Sequence, residues 1–155
     1  MGWVKRVATR QADQPEKVRS GSADLEMRLS LEPARIRLGV DRRIRVRVEL
    51  RNRGKRMCEL EFSSTQRIEV RLLEGRRGVL ETWSEDRRFE RNQGWVALNP
   101  GERLEYEAEV SARDMEPEGT YVVEAWIADH PELRTRVALR GMDEGSARDV
   151  PDSVF

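Results

Sequence analysis

Apolar residues recur at every second position along most of this chain, and that period decides the fold class before any other feature does. Successive side chains of a strand point to opposite faces, so a repeat of two builds one dry and one wet face; a helix needs a repeat of about 3.6. Leu25, Met27, Leu29 and Leu31 alternate with Glu26, Arg28 and Ser30, and Ile44, Val46, Val48 and Leu50 alternate with Arg45, Arg47 and Glu49. The pattern returns at Cys58, Leu60 and Phe62, at Ile68, Val70 and Leu72, and at Tyr121, Val123, Ala125 and Ile127. Val79 to Trp83, Trp95 to Leu98 and a last segment through Leu133, Val137 and Leu139 are shorter or less regular strands. Turn formers separate them: Pro33, Asn52-Arg53-Gly54, Gly75 to Gly78, Asn99-Pro100-Gly101, Pro117 with Gly119, and His130-Pro131.

Leu104 to Met115 reads two ways. Its Glu and Ala content suits a helix with Leu104, Ala108, Ala112 and Met115 on one stripe, but that stripe strands Tyr106 and Val110 on the far side. A strand puts Leu104, Tyr106, Ala108 and Val110 together and turns Glu105, Glu107 and Glu109 outward, so a strand is expected. The whole pattern predicts an all-β protein, an antiparallel immunoglobulin-like β-sandwich of seven to nine strands over residues 23–140. Residues 1–22 read as a loosely ordered N-terminal arm and 141–155 as a loose C-terminal tail. Tyr121, just past the Pro117-to-Gly119 corner, is placed to hydrogen-bond back across it, as in a tyrosine corner. The Ile44–Leu50 and Leu104–Val110 strands are expected to pair antiparallel, with Arg45 and Arg47 facing Glu105, Glu107 and Glu109.

Charge narrows the function classes. The 155 residues carry 29 basic and 29 acidic side chains, a formal net charge of zero, which argues against nucleic acid as a partner. The basic run Arg35, Arg37, Arg42, Arg43, Arg45 and Arg47 then reads as an ion-paired sheet face. No apolar run approaches the roughly 18–20 residues that span a bilayer, so no membrane partner is expected. Met1 to Arg6 begins basic but lacks a following apolar stretch, and Cys58 stands alone; both point to the cytoplasm. His130 sits beside a proline in a turn, Cys58 shares an inward face with Leu60 and Phe62, and no phosphate loop, Gly-x-Ser-x-Gly elbow or Cys-x-x-Cys pair occurs. No catalytic residue, metal ligand or cofactor site is therefore expected, and the chain does not read as an enzyme.

The aromatic residues are more telling. Trp83, Phe89 and Trp95 surround a polar stretch from Ser84 to Gly94 that reads as a long exposed loop. Trp83 and Trp95 are expected to plug the loop base, with Phe89 at the tip as a contact residue. Trp126 falls on the outward register beside Arg134 and Arg136, where a guanidinium stem is expected to stack on the indole.

Three stretches carry a resemblance to a known family. Phe62-Ser63-Ser64-Thr65-Gln66-Arg67-Ile68-Glu69-Val70, then Trp83-Ser84 with Phe89 five residues on, then Leu98-Asn99-Pro100-Gly101-Glu102 resemble, in order and spacing, the BsuPI-type intracellular proteinase inhibitors. That family shows a Phe-Ser-Ser/Thr-Gly-Gln-x-Tyr-Asp-Phe-like stretch, and here Thr65 replaces its usual Gly and Ile68 its Tyr, while Glu81 stands where an aromatic often precedes Trp-Ser. The Thr65 departure bears on the turn before Gln66, since Thr takes positive φ less readily than Gly. The resemblance covers roughly Leu25 to Leu139. It implies an immunoglobulin-like sandwich whose partner is a protein, a subtilisin-like intracellular serine protease; physically, a rigid sandwich would block the enzyme's cleft by loop docking without catalysis. The presenting surface would be Ser84, Glu85, Asp86, Arg87, Arg88 and Phe89, running on into Glu90 and Arg91, with Ser63, Ser64, Thr65 and Gln66 alongside. Ser64, Gln66 and Ser84 have a second reading, as side chains that hold the loop through hydrogen bonds to backbone. Two other classes remain open: an assembly or adhesion-like domain using strand edges and the Trp126 face, and a carbohydrate-binding sandwich with exposed aromatics.

Overall fold

The computed structural model describes residues 4–7, 17–19, 24–117 and 119–142, with side chains from 24 to 117 and 119 to 139. The rest of the expected arm and the expected tail from residue 143 onward lie outside the described residues. Twelve strands follow one another: β1 (Val4–Val7), β2 (Lys17–Arg19), β3 (Leu25–Glu32), β4 (Ile36–Arg37), β5 (Arg43–Asn52), β6 (Met57–Phe62), β7 (Ile68–Glu74), β8 (Gly78–Thr82), β9 (Gly94–Leu98), β10 (Arg103–Ser111), β11 (Thr120–Ile127) and β12 (His130–Met142). The excess over seven to nine comes from the short pieces β1, β2 and β4. Two of these fall within the expected arm, where Val4–Val7 pairs with β10 and Lys17–Arg19 runs parallel to β6.

The strands form a four-stranded sheet β1-β10-β5-β3, a five-stranded sheet β4-β12-β11-β7-β8 and a three-stranded ladder β2-β6-β9. Pairing is antiparallel except where β4 joins β12 and β2 joins β6. Alternate residues of each main strand turn inward and merge into one core: Ile44, Val46, Val48 and Leu50 from β5, Leu60 and Phe62 from β6, Val70 and Leu72 from β7, and Tyr121, Val123 and Ile127 from β11. Full burial of such side chains contributes roughly 1.5–3 kcal/mol each. The ambiguous segment is strand β10, and Leu104, Tyr106, Ala108 and Val110 are all buried. A helix would have left Tyr106 and Val110 in water, and core burial overrides the local helix propensity of Glu and Ala.

The β5–β10 ladder pairs antiparallel as expected, but its charges sort themselves differently in detail. Arg47 opposes Glu107, with nitrogen and oxygen 3.1 Å apart, while Arg43 takes Glu109 at 3.1 Å. Arg45 reaches the other way, to Glu32 of β3 at 3.9 Å. Glu105 falls opposite Glu49, so the register sets two carboxylates face to face, and Arg103 answers Glu49 at 3.4 Å. The basic run is thus largely an ion-paired sheet face, whose exposed pairs each contribute about 0–1 kcal/mol.

Two corners fix the ends of the strands. The Tyr121 hydroxyl accepts a hydrogen bond from the Glu116 amide at 2.5 Å, which is the expected tyrosine corner. Gly119 lies so close that a Cβ there would sit 2.5–2.7 Å from the tyrosine ring and hydroxyl. At the other corner the buried Asn52 side chain donates to Leu98 O at 2.9 Å and Arg56 O at 2.8 Å and accepts from the Gly54 amide at 2.9 Å. It ties the β5–β6 turn to the Asn99-Pro100-Gly101 turn, where Gly101 takes φ +80.

Candidate functional site

Three connections meet at one end of the molecule: residues 63–67 between β6 and β7, residues 83–93 between β8 and β9, and the two-residue turn Ala128-Asp129 between β11 and β12. The longest begins with a single 3-10 turn over Trp83–Asp86 and then runs without regular pairing to β9. Trp83 is its anchor, only 4% exposed and packed into the core. The Phe89 ring lies 5.8 Å from the Trp83 ring, and the Arg87 guanidinium covers the indole at 4.6 Å. Arg87 and Phe89 therefore turn inward, while Arg88 between them is exposed.

Hydrogen bonds weld the three connections together. The Thr65 amide donates to Glu90 O at 2.9 Å, and the Glu90 amide donates back to the Thr65 hydroxyl at 2.9 Å. Glu69 is the hub beneath: one carboxylate oxygen accepts from the Ser84 amide at 3.2 Å, and the other from the Ser84 hydroxyl and from Gln66 Nε2. Gln66 Nε2 also donates to Ile68 O at 2.9 Å, and the Gln66 amide donates to the Ser64 hydroxyl at 3.1 Å. The Arg67 guanidinium lies over the Phe62 ring at 4.4 Å and donates to Ser64 O at 2.7 Å. Asp129 closes the third side, accepting from the Ser63 amide at 2.8 Å and the Ser63 hydroxyl at 2.9 Å. These donors, the amide foremost and helped by the nearby His130, hold the Asp129 carboxyl below its ordinary pKa. Asp129 sits at φ +67, a left-handed conformation that Asp tolerates better than most side chains. His130 opens β12 with its Nε2 2.6 Å from Glu61 O and its ring edge-on to Phe62 at 5.5 Å.

All ten sequence-derived contact residues therefore gather at one end, but in different roles. Ser64, Gln66 and Ser84 spend their side chains on the loop frame, the second reading given to them above. Glu85, Asp86, Arg88, Ser63 and Thr65 are exposed. Phe89 is no exposed tip; it is half-buried on Trp83. Trp95, expected as a plug, is 54% exposed. The reason is parity: Leu98 and Val96 point to the core, so Trp95 lies on the outer face of the β6–β9 ladder, in register with Glu61. That parity was available in the sequence. Glu69, Asp129 and His130 had no such signal, because their roles depend on loops brought close from elsewhere in the chain.

On the outer face of the five-stranded sheet, Trp126 is clasped by Arg134 at 5.0 Å, as expected, and by Arg71 at 4.9 Å. Arg136 instead pairs with the buried Glu124 at 2.7 Å. Among the described residues no group of three or more His, Cys, Asp or Glu side chains gathers to hold a metal ion, and no helix is long and apolar enough to cross a membrane.

A family model described as BsuPI, intracellular proteinase inhibitor, matches residues 34–132, which takes in the whole of this loop cluster. The chain belongs to that family. No curated protein matches it. Among solved structures, a β-glucosidase from Listeria innocua in complex with glucose is 17% identical with a TM-score of 0.46, covering 76% of this chain and 16% of the enzyme. The chain thus spans about a sixth of the length of those enzymes. An ASH/PapD-like domain of human CEP192 is 16% identical with a TM-score of 0.28, covering 88% of this chain and 92% of the domain. Within the BsuPI family pattern, the Thr65 departure is accommodated without strain: among described non-glycine residues only Asp129 has positive φ. Thr65 instead adds a hydroxyl that receives the Glu90 amide, a bond that Gly at this position could not make.

Proposed function

We propose that this protein inhibits an intracellular serine protease, subtilisin-like as the resemblance implies, by docking the 63–66 and 84–91 connections into the enzyme's cleft in the cytoplasm. The observation that carries this reading is the mutual hydrogen bonding of Thr65 and Glu90 above the Trp83 anchor, within a chain of the proteinase inhibitor family. A loop held from both sides loses little conformational freedom when it binds, and that lowers the entropic cost of association. The mechanism needs no reactive group in the inhibitor, only a shaped and rigid obstacle to substrate.

The assembly reading used strand edges and the Trp126 face, and the carbohydrate reading used exposed aromatics; the Trp126 indole is covered by two guanidinium groups, which removes that face as an open platform for either, while Trp95 is exposed on the β6–β9 ladder. The protease reading is tested by adding the purified full chain to a panel comprising subtilisin, chymotrypsin and trypsin and following turnover of small chromogenic substrates. Slowed turnover of at least one enzyme at micromolar inhibitor is the expected result; unchanged turnover of every enzyme would overturn it.

A further inference from the structure

Within the loop cluster, the segment from Arg87 to Glu90 alternates anchored and exposed side chains. Arg87 has an extended backbone (φ −117, ψ 152), and exposure alternates from Arg87 to Glu90, so successive side chains turn to opposite sides. Arg87 and Phe89 both face Trp83, at 4.6 and 5.8 Å, so the residue between them must face away. Glu90 is then locked through both its amide and its carbonyl to Thr65. Arg88 is thus exposed and flanked on both sides by anchored residues. Its guanidinium has no hydrogen-bond or ion-pair partner among the described residues. Arg91, also exposed, lies beyond the lock; Asn92 bonds back to the Glu90 carboxylate and Gln93 to Glu61, but Arg91 is not flanked by residues stacked on Trp83 as Arg88 is.

We propose that Arg88 is the side chain inserted into the primary specificity pocket of the target, so that the partner is a serine protease whose pocket carries a carboxylate and selects basic residues. This rests on the inhibitory reading above and amends it at one point: the specificity pocket of the target carries a carboxylate, whether or not the enzyme is otherwise subtilisin-like. Charge decides the choice. An arginine buried in an apolar pocket would lose its hydration without a counter-ion, whereas a carboxylate at the pocket base restores a charge-assisted, two-pronged hydrogen bond. The anchoring of Arg87 and Phe89 lets Arg88 enter with only its own rotamers left to order.

The test measures inhibition constants of the full chain against trypsin, whose pocket is acidic, and chymotrypsin, whose pocket is apolar, for wild type, Arg88→Ala, Arg88→Lys, Arg88→Phe and the exposed distant control Arg76→Ala. Wild type is expected to favour trypsin, Arg88→Ala to lose on the order of 100-fold, Arg88→Lys to retain most inhibition, and Arg88→Phe to shift preference to chymotrypsin. Arg76→Ala should behave as wild type, and the melting temperature of each Arg88 variant should match wild type. Trypsin inhibition that ignores Arg88→Ala would overturn the assignment of Arg88 and leave the inhibitory reading standing. So would inhibition confined to enzymes with apolar pockets, or rapid cleavage after Arg88 by trypsin without any slowing of its turnover. Failure to inhibit any enzyme of the panel would instead remove the inhibitory reading itself.

Discussion

Asp129 combines two properties in one turn residue. It holds a left-handed backbone conformation at φ +67, and its carboxylate receives both polar groups of Ser63. Those hydrogen bonds favour the ionised form, so the folded-state pKa lies below the unfolded value of about 3.9. A depressed carboxyl pKa stabilises the fold fully above the unfolded pKa, and the contribution disappears as pH falls through the folded pKa. Glu26, held down chiefly by Arg53, and Glu74, held down chiefly by Arg77, act in the same direction, so acid sensitivity by itself does not report on Asp129. Asp129→Asn isolates it, because Asn also tolerates positive φ and can accept one of the Ser63 bonds while carrying no charge. Urea denaturation from about pH 7 down to pH 2 should show wild type more stable than Asp129→Asn at neutral pH, with the gap closing below about pH 4. A gap independent of pH would show that the charge on Asp129 does not stabilise the turn.

Among the elements, the 83–93 connection shows where sequence periodicity stops being informative. Strands β3, β5, β10 and β11 were legible because burial of one sheet face imposes a strict period of two, and the same parity explains why Trp95 faces out. A connection has no period, so Phe89 could be read as a tip when it is a wedge, and nothing near Glu69 in sequence marks it as the partner of Ser84 fifteen residues later. The frame around this loop has a measurable consequence. Phe89→Ala removes a half-buried ring from Trp83 and should cost about 1–3 kcal/mol, less than the 3–5 kcal/mol of a fully buried phenylalanine. Thr65→Val keeps the shape of the side chain and deletes only the acceptor for the Glu90 amide, a loss of roughly 1 kcal/mol. In native-state hydrogen exchange the Glu90 amide should then exchange faster in Thr65→Val while the β5 and β10 amides stay at wild-type rates. Equal exchange of Glu90 in the two proteins would mean that the Thr65 hydroxyl does not hold the loop, which then rests on Trp83 and the remaining backbone and Glu69 bonds.

At the level of the molecule, the open question is whether three ladders behave as three units or as one. The ladder β2-β6-β9 has its own hydrogen-bond network, and a small sheet of that kind could open separately from the two larger ones. Its inner face argues otherwise: Cys58, Leu60, Phe62 and Leu98 belong to the same buried cluster as the inner faces of β5, β7, β10 and β11. Peeling β6 away would expose that shared apolar surface, so the opening should cost nearly as much as unfolding. Cys58 is a built-in reporter, a buried thiol with its pKa pushed up by that burial, and it is the single cysteine of the chain. A thiol reagent reaches it only when β6 leaves the core, since the thiolate is the reactive form and burial suppresses both access and ionisation. Labelling rates followed through increasing urea, under conditions where closing outruns labelling, give the free energy of that opening and its dependence on denaturant. One cooperative core requires both to equal the values from global unfolding. A labelling free energy well below the global one, with a shallow urea dependence, would instead make the three-stranded ladder a separable unit. The end of β6 leads directly into Ser63 to Gln66, so the loop cluster would then rest on a part of the frame that opens by itself.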